Sequence, residues 1–314
     1  MRLPVLVVCV LLALCVCQDC LNDDIIDKVN ANRRLGWTAG RNARLEGVTR
    51  EVARQSLISP HIDATQPLHP NPRPTRHRNN LLLPVEYDVR TAYPGCADYV
   101  LDQGSCGSCW AFATAESLSD RYCVMTGDNT VLSPQELVDC DRLMLPGGCS
   151  GGEPYLANDW LEWNGLVPNE CYPYVSGHTH ERGTCHSDVC TDGSEPSLKV
   201  YVEAMSAEFY DNPTQIQKAI MDKGTVAGTM IVYEDFYNYK GGVYEHAYGA
   251  MEGGHAIAIV GWGVDSVSNL PYWTVRNSWG YDFGEDGYFR ILRGMNMCEI
   301  ELGGSAATPF VDTE

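Results

Sequence analysis

Three residue types in this chain have the chemistry of a nucleophile, a base and an orienting group. Cys109 closes Gln103-Gly104-Ser105-Cys106-Gly107-Ser108-Cys109-Trp110, His255 lies in Gly253-Gly254-His255-Ala256-Ile257-Ala258, and Asn277 lies in Arg276-Asn277-Ser278-Trp279-Gly280. A cysteine attacks only as its thiolate. In the first turn of a helix, Cys109 would meet unpaired backbone N–H groups and the positive end of the helix dipole, and both favour that form. His255 begins an apolar strand, Asn277 follows the next one, and a hairpin centred near residue 267 puts them diagonally adjacent on one face. The Asn277 carbonyl then holds one imidazole N–H and aims the other nitrogen at Cys109. Gln103 precedes the nucleophile by six residues. Its amide N–H, with the backbone N–H of Cys109, can hold the oxyanion of a tetrahedral intermediate. Gly151 and Gly152 let an extended substrate backbone approach closely. Taken singly, each of these has a plainer reading: a disulfide, a structural histidine, a solvated loop, a turn.

The elements that must position these groups are legible in part. Helical spacing of Phe112, Ala115, Leu118 and Tyr122 predicts a helix starting at Cys109. Ser133-Pro134-Gln135-Glu136 predicts another, with Ser133 as cap and Glu136 closing a capping box. From about Val200, strand signals take over, with Ala256 to Val260 and Tyr272 to Val275 the clearest. Helices first and strands second imply an α+β protein of two subdomains with a cleft between them.

Residues 1–17 read as a signal peptide, an apolar run too short to span a membrane. In the leader, residues 18–80, Asn22 can cap a helix with Ile25, Ile26 and Val29 on its apolar side, and a second helix is expected from about Val48 to Leu57. Residues 59–80 are rich in Pro and Arg and read as a cleavable linker, with an ordinary interdomain linker as the alternative. Residues 81–314 form the presumed mature domain. Residues 19–80 carry ten Lys/Arg against seven Asp/Glu, and residues 81–314 eleven against thirty-four. So acidic a domain excludes nucleic acid as a partner, because nothing offsets phosphate repulsion. The basic leader can neutralise it. Fourteen cysteines fit an oxidising compartment.

These segments, in this order, resemble the papain family, and residues from about Leu82 to Gly304 resemble its cathepsin B branch. Further likeness lies in Gly241-Gly242-Val243-Tyr244, Ile291-Leu292-Arg293-Gly294 and Gly151 to Pro154, and Trp37-Thr38-Ala39-Gly40 resembles that branch's propeptide. The resemblance implies a helical left subdomain, a β-barrel right subdomain, and a leader lying reversed in the cleft as an intramolecular inhibitor. It implies a monomer of the lysosome-like or secreted route acting on proteins and peptides without cofactor or metal, and Trp279 shielding the His255–Asn277 bond. It pairs Cys96 with Cys123 and Cys106 with Cys149, puts Cys140, Cys171, Cys185 and Cys190 into two more bridges, with Cys140–Cys185 and Cys171–Cys190 the favoured of the open pairings, and leaves Cys109 and Cys298 free. A zinc site from Cys185, Cys190, His178, His180 and His186 is the disfavoured alternative. By resemblance Pro154, Thr229, Ala256 and Gly303 line the second specificity pocket. Gly303 stands where arginine-accepting relatives have an acid, so an apolar preference is expected, with Glu301 able to compensate. The branch's occluding loop, with adjacent histidines, is shortened here to His178-Thr179-His180, which points to an endopeptidase. A catalytically dead homologue would have lost one of Gln103, Cys109, His255 or Asn277. A disulfide-rich structural protein would have no spare thiol.

Overall fold

The computed structural model describes residues 19–58, 82–186 and 189–311. The expected signal peptide and the linker at 59–80 lie outside the described residues. The leader folds as α1 (Asp23–Ala31), β1 (Trp37–Ala39) and α2 (Arg50–Gln55). Asn22 caps α1 as expected, accepting from the N–H groups of Asp24 and Ile25, and Thr49 caps α2 by accepting from Val52 N–H.

Past the leader, β2 (Tyr87–Asp88) and α3 (Val89–Ala92) lead to the helical half: α4 (Cys109–Thr126), α5 (Pro134–Cys140), α6 (Pro154–Asn164) and α7 (Ser176–Thr179). Most of α4 is buried on every side, polar residues included, so it is the axis of this half and not a surface helix. It stops where Gly127 turns left-handed at φ 80° and donates its N–H to Cys123 O. The α5 and α6 helices begin with proline at the first position, where no intrahelical N–H is needed. Ser133 accepts from Glu136 N–H, but the expected capping box does not close. Ser133 N–H goes to Val167 O, and Glu136 instead takes the N–H of Val167, so tertiary pairing displaces the local motif.

The second half contains β3 (Glu208–Tyr210), α8 (Pro213–Lys223), β4 (Val226–Tyr233), β5 (Tyr239–Tyr244), β6 (Met251–Val264), β7 (Pro271–Arg276), β8 (Tyr288–Leu292) and β9 (Gly304–Ala306). They form one sheet in the order β1-β5-β8-β7-β6-β4-β9-β3, with β2 added on β6. The leader thus supplies an edge strand: Trp37 pairs with Gly242, its ring packs edge-on against Tyr244 at 5.1 Å, and its Nε1–H donates to Glu245 O. One apolar core lies around the sheet and includes leader residues Ile25, Val29, Trp37 and Leu57. A second surrounds α4, α5 and α6, and Cys109 meets Ala256 of β6 at its edge.

Among the described residues, four disulfides join Cys96 to Cys123, Cys106 to Cys149, Cys140 to Cys185 and Cys171 to Cys190, the pairs the resemblance favours. The zinc alternative thereby loses its sulfur ligands. Cys20, Cys109 and Cys298 are free and buried.

Candidate active site

Cys109 is the first residue of α4, and the loop before it is pinned by the Cys106–Cys149 disulfide, with Cα atoms 4.7 Å apart. Its sulfur lies within reach of the backbone N–H groups of Ala256, Trp110 and Cys109 itself, which favour the thiolate. Burial outweighs them and pushes the thiol up to about 12.

His255 and Asn277 meet because β6 and β7 pair antiparallel with Ala258 opposite Arg276, a register whose midpoint is residue 267. The imidazole Nε2 and Asn277 Oδ1 are 2.8 Å apart. Nε2 is therefore the protonated nitrogen in the neutral ring, and Nδ1, which has no hydrogen-bond partner, is left to accept a proton. The Trp279 ring lies 4.9 Å from the imidazole and is itself buried, so it keeps water from the bond. Burial pulls His255 down to about 4, and the Asn277 bond opposes this to a lesser degree. Both shifts keep the proton on sulfur.

Gln103 is fully buried and fixed at each end of its amide. Ser278 Oγ donates to its Oε1 at 2.6 Å, and its Nε2 donates to Cys106 O at 2.8 Å and Ser56 O at 2.7 Å. A leader carbonyl therefore occupies the position expected for an oxyanion. Two residues on, Ile58 exchanges backbone hydrogen bonds with Gly254, N–H to O at 2.8 Å and the return at 3.3 Å. Substrate reaches the pocket beside Ile58 with a residue that precedes its scissile carbonyl, in the expected assignment. The leader reaches it with a residue that follows Ser56 and so runs with opposite polarity.

The glycine pair divides its work. A Cβ on Gly151 would meet Ile58 Cγ2 at 2.9 Å, so this glycine admits a chain into the cleft, whereas one on Gly152 would strike the Trp110 ring at 2.5 Å. A cavity of about 210 Å³ adjoins Gly152. Thr229, which the resemblance assigns to the second pocket, lines this cavity, and Pro154, Ala256 and Gly303 are buried. Pro154 is taken up in the first turn of α6. Glu301 does not compensate either, since its carboxylate accepts from Trp273 Nε1–H, Gly294 N–H and Asn296 N–H. That anchored turn forces Asn296, Cys298 and Glu299 into left-handed backbone, and Glu299 comes to line the cavity with Glu153. The walls are otherwise mainly apolar, including Met144, Leu145, Leu156, Ile231 and Met251.

The basic linker at 59–80 lies outside the described residues. Among the described residues, ion pairs between leader and domain lie on α2 and the turn before it: Arg50 and Arg54 both bond the buried Glu252, Arg50 also pairs with Glu234 at 3.3 Å, and Arg44 pairs with Asp102 at 2.9 Å. Arg50 and Arg54, four apart on a short helix, were the available signal. Ser278 was also missed, though it adjoins Asn277. His178 and His180, expected in a solvated loop, are in and just after α7. His180 Nδ1 lies 3.2 Å from Ser105 O, and His178 lines a cavity with Asp102 and Gly104.

Residues 83–308 match the family model described as papain family cysteine protease. Among characterised relatives, a Giardia intestinalis protein described as cathepsin B-like CP3 is 41% identical over 276 residues, 85% of this chain and 89% of the relative. A Caenorhabditis elegans cathepsin B-like cysteine proteinase 5 is 36% identical, spanning 91% of this chain and 89% of that one. The solved structure of a procathepsin B from Trypanosoma congolense superposes with a TM-score of 0.82 at 32% identity, covering 93% of this chain and all of that one. A procathepsin L2 from Tenebrio molitor larval midgut gives 0.71 at 28% identity, over 91% of this chain and 89% of that one.

Two outcomes follow from the covered cleft. At pH 6 the leader-bearing chain should alkylate at Cys109 with iodoacetamide roughly two orders of magnitude more slowly than the chain without its leader, because the thiolate is suppressed and shielded. Peptide mass spectrometry reads the rates, and equal rates contradict the reading. Replacing Arg50 and Arg54 with Ala strands the buried Glu252 at a cost of about 3–5 kcal/mol. The variant should therefore shed its leader and expose Cys109 faster near neutral pH. An unchanged processing rate would place the hold elsewhere.

Proposed function

Since this chain belongs to the papain family of cysteine proteases, among the cathepsin B-like enzymes, we propose that it is an endopeptidase made as a zymogen. Residues 1–17 are a signal peptide, 18–80 an inhibitory propeptide and 81–314 the enzyme, which works as a monomer in a lysosome-like compartment or outside the cell. The observation that carries this reading is the Ser56 carbonyl held by the Gln103 amide beside Cys109 and the His255–Asn277 pair.

With the leader gone, water returns to the cleft, the proton passes from sulfur to His255 Nδ1, and an ion pair replaces the neutral pair. The thiolate adds to the scissile carbonyl carbon, and the oxygen takes the place of Ser56 O against Gln103 Nε2–H and Cys109 N–H. Collapse breaks the C–N bond as the imidazolium gives its proton to the leaving amine. His255 then takes a proton from water, whose oxygen attacks the thioester, and Cys109 leaves as thiolate. Asn277 keeps Nε2 as the donor nitrogen throughout.

Internal cleavage is supported by the path of the leader, a continuous chain that passes Cys109 from α2 to Ile58 and meets protein on both sides of it. The α7 segment is tied to the loop before Cys109, Ser105 N–H donating to Gly177 O at 3.3 Å. In the second pocket, Glu299 ends a mainly apolar lining, which suits a side chain with an aliphatic stem and a cationic tip.

Cys109→Ala should abolish peptide hydrolysis, while Asn277→Ala lowers kcat by a smaller factor, about 10- to 100-fold, since it removes an orienting group. On a peptide offered with a free C-terminus and as its amide, equal rates and internal cuts are expected. Stepwise release of C-terminal dipeptides, abolished by amidation, would show an exopeptidase. Glu299→Gln should lower kcat/KM for Arg in the second pocket about tenfold relative to Leu. If the variant keeps the wild-type Arg/Leu ratio, Glu299 does not set the preference.

A further inference from the structure

A buried ionic cluster lies behind the site, between the helix that carries Cys109 and the strand that ends at Asn277. Arg276 has no exposed surface. Its Nε donates to Glu116 Oε2 at 2.9 Å and its Nη2 to Asp120 Oδ2 at 2.7 Å, and the guanidinium stacks over the Tyr99 ring at 4.4 Å. Asp120 Oδ2 also accepts from Thr225 Oγ1 at 2.8 Å, and Thr225 O accepts from Ser117 Oγ and Arg121 Nε. Tyr288 and, over its ring, Arg90 complete the surroundings from β8 and α3. Thr225 leads directly into β4, where Met230 pairs with His255.

The spacing makes this cluster more than a generic lobe contact. Glu116 and Asp120 follow Cys109 by two and three helical turns, so all three share one face of α4, the face turned to β6 and β7. Arg276 is the residue immediately before Asn277, and the strand it ends fixes the His255–Asn277 register. A planar fork held by two carboxylates resists both sliding of the helix along the strand and rotation about its axis, as a single point charge would not. A buried pair of this kind adds little net stability against an apolar replacement, which leaves specification of geometry as its contribution.

We propose that Arg276 is a positioning residue for the hydrolytic reaction: its fork on Glu116 and Asp120 sets the distance and angle between Cys109 and the His255–Asn277 pair. It touches no substrate and acts through α4 and β7.

The test uses leader-free enzyme with the concentration of active sites titrated by an irreversible thiol-directed inhibitor. Arg276→Lys keeps the charge and loses the fork. It should lower kcat per titrated site about tenfold with KM within about twofold, because misplacement of reacting groups acts on the chemical step. The pH profile of Cys109 reacting with a small aromatic disulfide should move its lower limb upward, towards an isolated thiol, because the imidazolium no longer sits where it stabilises the thiolate. Glu116→Gln keeps volume and one hydrogen bond and should shift both readouts in the same direction by less. If Arg276→Lys folds with wild-type kcat per titrated site and an unmoved profile, whatever its loss of stability, the cluster is only structural and the proposal falls. If Arg276→Lys does not fold, Glu116→Gln decides alone: wild-type values for both readouts overturn the proposal, and a shift in both upholds it.

Discussion

The 2.8 Å contact between His255 Nε2 and Asn277 Oδ1 is the constraint to which the rest of this structure answers. It selects the tautomer that leaves Nδ1 free, and it exists only in one register of β6 on β7. A slip of one residue would turn His255 out of the cleft. Trp279 keeps the bond dry, Ser278 ties the same loop to Gln103, and Arg276 ties the strand to α4. The base, the oxyanion donor and the nucleophile thus draw their positions from four consecutive residues, 276 to 279.

With the leader in the cleft, Cys109 and His255 are both fully buried. Burial raises the Cys109 thiol to about 12 even with the N–H groups of Ala256, Trp110 and Cys109 favouring the thiolate, so desolvation wins and the pair stays neutral. The same burial lowers His255, which makes the two effects cooperative and not opposed. The chain in the cleft presents Ser56 O to Gln103 and then reaches the cavity with Ile58, a residue that follows Ser56. Leader binding depends on added strand β1, the Trp37 anchor and the Arg50–Arg54 grip on Glu252, an acid whose burial is tolerable only while paired.

What could be read from the chain was what is local or periodic. The Asn22 cap, the start of α4 at Cys109 and the hairpin centred at residue 267 all follow from short-range stereochemistry. The disulfide pairs came from family resemblance, not from spacing. What escaped was tertiary. Glu136 abandons its capping box because Val167 competes for its carboxylate. Glu299 enters the pocket because Glu301, two residues on, is consumed in anchoring the 294–296 turn, a choice between two acids that composition cannot make. Arg50 and Arg54 meet the buried Glu252 from a six-residue helix, a pairing across about 200 residues that the sequence does not announce. In each case the partner lies far away in sequence.

The central claim is that one covered cleft holds a neutral thiol–imidazole pair which uncovering converts to an ion pair. Nitrogen NMR of His255 at about pH 6, near the ordinary histidine value, addresses it directly when recorded before and after leader removal. The account predicts a neutral ring protonated on Nε2 in the leader-bearing chain and an imidazolium, protonated on both nitrogens, in the uncovered enzyme. The same protonation state in both forms would contradict it.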